Sequence, residues 1–153
     1  SYDQPGRHST WEFAERVAKQ GARMLPAHQV TLGLPFYGRH VSTGDWKSYE
    51  DLVQAHAPLA PGTDEAGGYY FNGPDLIMRK TRLARELGLG GVMIWEVGQD
   101  CRQNAVTHGK DTHAVTCPQG EQSALLAALA RELGPRDSDG GDEGGRAPPR
   151  DEL

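Results

Sequence analysis

Hydrophobic positions along the chain fall into two kinds of run, one with helical spacing and one continuous. Between about Ser9 and Leu25, Trp11, Phe13, Ala14, Val17, Ala18, Ala22 and Leu25 recur on or near one helical face. Ser9 and Glu12 read as a capping-box pair at its start, and Pro26 stops it. A second helix is predicted after Asn72 or Gly73, with Pro74 in the first turn, where its missing N–H does no harm. Leu76, Ile77, Leu83, Ala84 and Leu87 make its stripe, and Gly88 and Gly90 end it. A third runs from about Ser123 to Leu133, with Leu125, Leu126, Leu129 and Leu133 inward and Gly134-Pro135 closing it. The continuous runs are Val30 to Phe36 and Val92 to Trp95. Neither alternates polar with apolar residues, the pattern of a parallel strand covered on both faces.

Between these strands lies a turn-rich connection through Pro58, Pro61, Gly67 and Gly68, with a short helix predicted from about Tyr49 to Ala55. It is longer than a simple crossover needs. The order is therefore strand end, helix, strand, helix, strand, helix, an α/β pattern with parallel strands. Two strands and a stub cannot form a covered sheet alone. The predicted fold is the C-terminal portion of a (β/α)8 TIM barrel, incomplete in this chain.

Composition narrows where that fold ends. Only 37% of the 153 residues are apolar, low for a self-contained core. From Pro135 onward there is no aromatic residue, and Ala147 and Leu153 are the only aliphatics. Such a stretch buries too little to offset the entropy of ordering, so 1–134 is expected to fold and 135–153 to be a disordered tail. The tail sets three arginines against six carboxylates, a charge of −3 out of the chain's −5. The rest is nearly balanced and carries no basic face, which argues against nucleic acid as a partner. No apolar run approaches the roughly 20 residues of a membrane-spanning helix. The chain opens on Ser1 rather than Met, with no signal-peptide pattern, so further sequence is expected upstream.

In a β/α barrel the working residues follow the C-terminal ends of the strands. Here those stations carry Tyr2-Asp3, Tyr37 with Arg39, and Trp95-Glu96 followed by Gln99 and Asp100. Flat aromatic faces beside hydrogen-bonding groups suit sugar rings and their hydroxyls. Any one pair taken alone reads as ordinary core aromatics and surface charge; the repetition at three stations favours a site.

The run Gly90-Gly91-Val92-Met93-Ile94-Trp95-Glu96-Val97-Gly98-Gln99-Asp100 resembles the eighth strand of family 18 glycoside hydrolases, the chitinase family. Leu32-Gly33-Leu34-Pro35-Phe36-Tyr37-Gly38-Arg39 resembles its seventh strand. Tyr2-Asp3 is similar to the end of its sixth-strand Met-x-Tyr-Asp motif. The stretch from Tyr70 through Pro74, Ile77 and Lys80 to Ala84 is similar to its seventh helix, so the resemblance covers about residues 1 to 133.

The resemblance implies hydrolysis of β-1,4-linked N-acetylglucosamine polymers, with chitin or its oligosaccharides as the ligand and no cofactor or metal. It implies a substrate-assisted mechanism in which the substrate's acetamido oxygen is the nucleophile, an exception to the usual carboxylate pair. Tyr2 would donate a hydrogen bond to that acetamido carbonyl, and Asp3 would support the network around the general acid. Tyr37 and Arg39 would contact sugars along the cleft, Trp95 would form the floor under the distorted ring, and Glu96 would stand in the cleft wall. The family's acid is the glutamate of an Asp-x-x-Asp-x-Asp-x-Glu motif, which occurs nowhere in this chain. General acid catalysis contributes roughly 10²–10⁴-fold, so the chain alone is expected to be inactive. A non-catalytic chitin- or oligosaccharide-binding protein of the same fold is the alternative, and an inactive orphan fragment with exposed strand edges is a third reading.

In a secreted-type family, Cys101 and Cys117 on either side of a polar loop are expected to pair as a disulfide. A zinc site with His108 and His113 fits no usual ligand spacing. The final Arg150-Asp151-Glu152-Leu153 resembles the Lys-Asp-Glu-Leu signal read by the endoplasmic reticulum retrieval receptor, while the acidic tail makes coincidence a fair competitor. A location in the secretory pathway, luminal or secreted, agrees with the disulfide.

Overall fold

A computed structural model describes residues 6–108 and 111–134. Tyr2, Asp3 and the whole of 135–153, with its terminal Arg-Asp-Glu-Leu, lie outside the described residues. The first helix, α1 (Trp11–Met24), leads through a 3₁₀ turn to β1 (Thr31–Pro35). β2 (Tyr37–His40), β3 (Trp46–Ser48), α2 (Tyr49–His56), β4 (Glu65–Ala66) and β5 (Tyr69–Tyr70) fill the long connection. Then come α3 (Pro74–Glu86), β6 (Gly91–Trp95), the hairpin strands β7 (Val106–His108) and β8 (Asp111–His113), and α4 (Leu125–Leu133).

β1 and β6 pair in parallel, with Thr31 opposite Gly91 and Pro35 opposite Trp95. Gly90 brings β6 close enough to do this. Its N–H donates to the carbonyls of Ala27 and Val30, and a Cβ there would collide with the His28 carbonyl oxygen. Side chains alternate across the pair. Leu32, Leu34, Val92 and Ile94 face the helices. Ala14 and Ala18 of α1 meet Leu32 with Leu83 and Ala84 of α3. Leu34, Phe36 and Ile77 join Tyr49, Leu52, Val53, Phe71 and Leu125 in the larger core.

The expected double-sided burial of the second strand does not hold. Met93 is 47% exposed and Trp95 62% exposed. Helices cover only one face of the pair, and among the described residues the two strands do not close into a barrel.

The start of α1 also differs from the predicted capping box. Thr10 is the N-cap, its hydroxyl accepting from the Phe13 N–H, while Ser9 takes φ +48° and turns its side chain elsewhere. The long connection is a four-stranded antiparallel sheet in the order β3-β2-β5-β4. Its strands are two to four residues long, too short to show a period in the sequence.

α4 is tied down from the end of β6. The Asp100 carboxylate accepts from the N–H groups of Leu125 and Leu126 at 3.0 and 2.8 Å, and from Cys101 at 2.9 Å. It therefore caps the helix in place of a side chain from Ala124, the local N-cap. Next to it Cys101 and Cys117 form a buried disulfide with Cα atoms 4.9 Å apart.

The disulfide closes a loop of separation 16, beside the cap that seats α4. Replacing both cysteines with alanine is expected to lower unfolding stability by about 3 kcal/mol, read from urea denaturation. A change under about 1 kcal/mol would mean that the Asp100 cap and core packing hold this end unaided.

Candidate functional site

The uncovered face of the β1–β6 pair ends in a concavity of 370 Å³ lined by Gly33, Leu34, Pro35, Tyr37, Met93 and Trp95. Its shape follows from the strand pattern. Gly33 and Pro35 present little side chain on this face, so the larger Met93 and Trp95 opposite them stand clear. The Trp95 backbone is fixed by a 2.8 Å bond from the Phe36 N–H to its carbonyl. The following Trp95–Glu96 peptide is cis, and exposed Glu96 opens a 3₁₀ turn, its carbonyl accepting from Gln99.

Tyr37 begins β2, so the chain passes from the parallel pair into the antiparallel sheet at the cavity wall. His8 backs the Tyr37 ring in a near-parallel stack, centroids 5.0 Å apart and planes 13° apart. His8 is buried, with Nε2 3.2 Å from the Tyr70 carbonyl; Nε2–H is thus the donor and Nδ1 is left without a hydrogen bond. Burial lowers the His8 pKa to about 4; the Tyr70 carbonyl opposes this, and the positive charges of Lys80 and Arg39 reinforce it. The ring is neutral at pH 7.

A buried clasp holds the segment that carries His8. Lys80, fully enclosed on α3, donates from Nζ to the Ser9 carbonyl, the Ser9 hydroxyl and Asn72 Oδ1. Asn72 Nδ2 donates to the same Ser9 carbonyl at 3.2 Å. The left-handed backbone at Ser9 costs on the order of 1–3 kcal/mol, and these bonds hold it there. Burial lowers Lys80 to about 7, with the carboxylates of Asp64 and Glu12 acting in the opposite sense.

Of the residues singled out in the sequence, Tyr37 and Trp95 meet at the cavity. Arg39 lies two residues along β2, half-buried, opposite Trp46 on one side and Tyr70 on the other. Glu96 adjoins Trp95 but is not among the lining residues. Asp100 does not belong to the site, because its oxygens are committed to α4; burial raises its pKa against the pull of three N–H donors. His8, Asn72 and Lys80 carried no spacing signal, since apart from Lys80 with Asn72 their contacts join positions 29 to 71 residues apart. Among the described residues no carboxylate lines the cavity, and no group of three His, Cys, Asp or Glu side chains could hold a metal. The arrangement can bind a flat, partly apolar ring and hydrogen-bond its edge through Tyr37.

No family model matches the chain. Solved structures do. The GH18 chitinase ChiB from the chitin utilization locus of Flavobacterium johnsoniae is 27% identical, with TM-score 0.63 over 86% of this chain and 37% of its own. A chitinase from Bacteroides thetaiotaomicron is 23% identical, TM-score 0.65, over 86% of this chain and 40% of its own. A class V chitinase from Pseudomonas fluorescens is 20% identical, TM-score 0.55, over 85% and 41%. The fold is chitinase-like, and the chain spans about two fifths of the length of these enzymes.

The clasp and the stack make stability rise with pH in two windows. His8 and Lys80 both have folded pKa values below their ordinary 6.5 and 10.5, so the unfolded chain binds more protons from about pH 4 to 6.5 and from about pH 7 to 10.5. Urea denaturation is expected to show stability climbing above pH 7 with a slope approaching about 1.4 kcal/mol per pH unit. Lys80→Met should flatten that rise, and His8→Phe should flatten the lower window.

Proposed function

We propose that this chain is the C-terminal portion of a family 18 glycoside hydrolase barrel, which in complete form hydrolyses β-1,4-linked N-acetylglucosamine polymers. The observation that carries the reading is the concavity at the C-terminal ends of two parallel strands, floored by exposed Trp95 and walled by Tyr37. Barrel enzymes work at that end of their strands, and a large flat apolar ring left open to water there suits a pyranose face. The resemblance of both strand motifs and the chitinase-like fold support the same reading.

In this reading the chain supplies half a cleft. Trp95 holds the ring at the cleavage point, and Tyr37 and Arg39 bind hydroxyls or acetamido groups beside it. Tyr2 donates to the acetamido carbonyl, keeping its oxygen aimed at the anomeric carbon, and Asp3 supports the acid. That acid comes from sequence outside these residues, so substrate-assisted, retaining hydrolysis belongs to the complete protein. Glu96 stands in the wall outside the cavity. The Cys101–Cys117 disulfide supports a location in the oxidising secretory pathway.

Titrating the chain with chitotriose while following tryptophan fluorescence tests the reading. The expected result is saturable binding that weakens at least about tenfold in Trp95→Ala, with cellotriose, which lacks the acetamido group, bound more weakly still. No chitotriose cleavage is expected from the chain alone. Equal binding of cellotriose, or a Trp95→Ala variant that binds as the parent does, would overturn it.

A further inference from the structure

Residues 6 to 9 form a short arch between two left-handed backbone positions, Gly6 at φ +125° and Ser9 at φ +48°. Each side of it is tied down. Arg7 pairs with Glu65 of β4 at 2.7 Å and lies over the Tyr70 ring, while Ser9 sits in the Lys80–Asn72 clasp. Between them His8 turns inward. Its ring stacks on Tyr37 and meets Tyr70 edge-on, with centroids 5.0 and 6.1 Å away.

The inward position suits only the neutral ring. Nε2–H is committed to the Tyr70 carbonyl, and Nδ1 is enclosed with no hydrogen-bond partner among the described residues. A proton on Nδ1 would be a buried donor with nothing to receive it, on a charged group cut off from water. The surroundings oppose it further. β2 supplies Tyr37 and Arg39, β5 supplies Tyr70 and α3 supplies Lys80, and the two charges that act on the ring, Lys80 and Arg39, are both positive. The carboxylates of Glu12 on α1 and Asp64 before β4 act on Lys80 instead, and Glu65 of β4 is held by Arg7. Among the described residues, no carboxylate offsets a charge on His8.

We infer that His8 is a positioning residue for the Tyr37 wall, and that its protonation frees the ring and loosens the arch, so that the cavity holds a sugar less tightly in acid. The sugar half of this rests on the proposed function; the arch itself does not. A proton that cannot stay enclosed is accommodated by turning the imidazolium out to water, where its ordinary basicity returns. The His8 pKa is about 4 in place against 6.5 in water, so below both values protonation favours the outward ring by about 300-fold. Tyr37 then loses the ring it stacks on, and Tyr70 loses its edge contact. Tyr37 lines the cavity, so a ligand there selects the inward state, and only the molecules in that state bind it.

The test follows the His8 and Tyr37 rings by NMR in the full chain between pH 6.5 and pH 3.5, with far-UV circular dichroism as a check on folding. Chitotriose affinity is measured across the same range in the parent and in His8→Phe, whose ring stacks but takes no proton. The His8–Tyr37 ring contact is expected to fade as His8 protonates, and chitotriose binding by the parent to weaken at least about threefold by pH 3.5. In His8→Phe the two affinities should stay nearly equal. A ring contact that survives protonation would overturn the inference, whether or not the variant folds. So would an equal acid loss in His8→Phe, because other groups would then be responsible. Global unfolding in step with His8 protonation would overturn it too, since the release must be local. If the parent binds no chitotriose at any pH while the ring contact still fades, the functional reading fails with the sugar half, and the acid release of the arch stands.

Discussion

Parallel strands are normally covered on both faces, because the helices that connect them pack on the sheet and its residues are apolar on either side. The β1–β6 pair meets that requirement on one face only. Leu32, Leu34, Val92 and Ile94 are packed beneath α1, α3 and α4, whereas Met93 and Trp95 face water. Much of the remaining structure is organised around that asymmetry. Gly90 draws the strands together, the Phe36–Trp95 backbone bond fixes their ends, and β2 leaves the pair at the point where the open face becomes a cavity.

Two polar devices hold the edges of this arrangement, and each uses a group that burial would normally penalise. Asp100 is enclosed, yet three N–H donors satisfy it, and in return α4 gains its N-terminal cap. Lys80 is enclosed, yet three oxygens surround its amine, and Ser9 is held in a conformation that only glycine adopts readily. Through His8 that clasp reaches Tyr37, so a buried amine on α3 helps to set an aromatic wall of the cavity. The antiparallel sheet then carries the same wall outward toward Arg39 and Trp46.

What could be read from the sequence is what has a period or a local stop signal. The three long helices and both parallel strands lie within a few residues of their predicted bounds, because apolar spacing, Pro26, Pro74 and Gly134 act over short distances. The places of Tyr37 and Trp95 at the strand ends could be read because Tyr37 comes just after β1 and Trp95 is the last residue of β6. The four-stranded sheet was not, since pairing of Arg39 with Tyr70 depends on contacts 31 residues apart and leaves no repeat in either segment. Thr10 displaced Ser9 as the cap because Lys80 takes the Ser9 hydroxyl, a competition invisible to neighbouring positions. Asp100 looked like a site residue from its station after β6, but the helix that needs it begins 25 residues later.

If the open face of β1–β6 is the inner wall of a larger catalytic barrel, as proposed above, the transcript that encodes this chain must supply the remaining wall upstream of Ser1. Sequencing it there is expected to reveal about five further strand-and-helix units and an Asp-x-x-Asp-x-Asp-x-Glu run after the fourth strand of the complete barrel. A barrel in which that final glutamate is replaced would contradict the hydrolase reading and leave a sugar-binding protein. Upstream sequence with no such units would contradict the barrel itself.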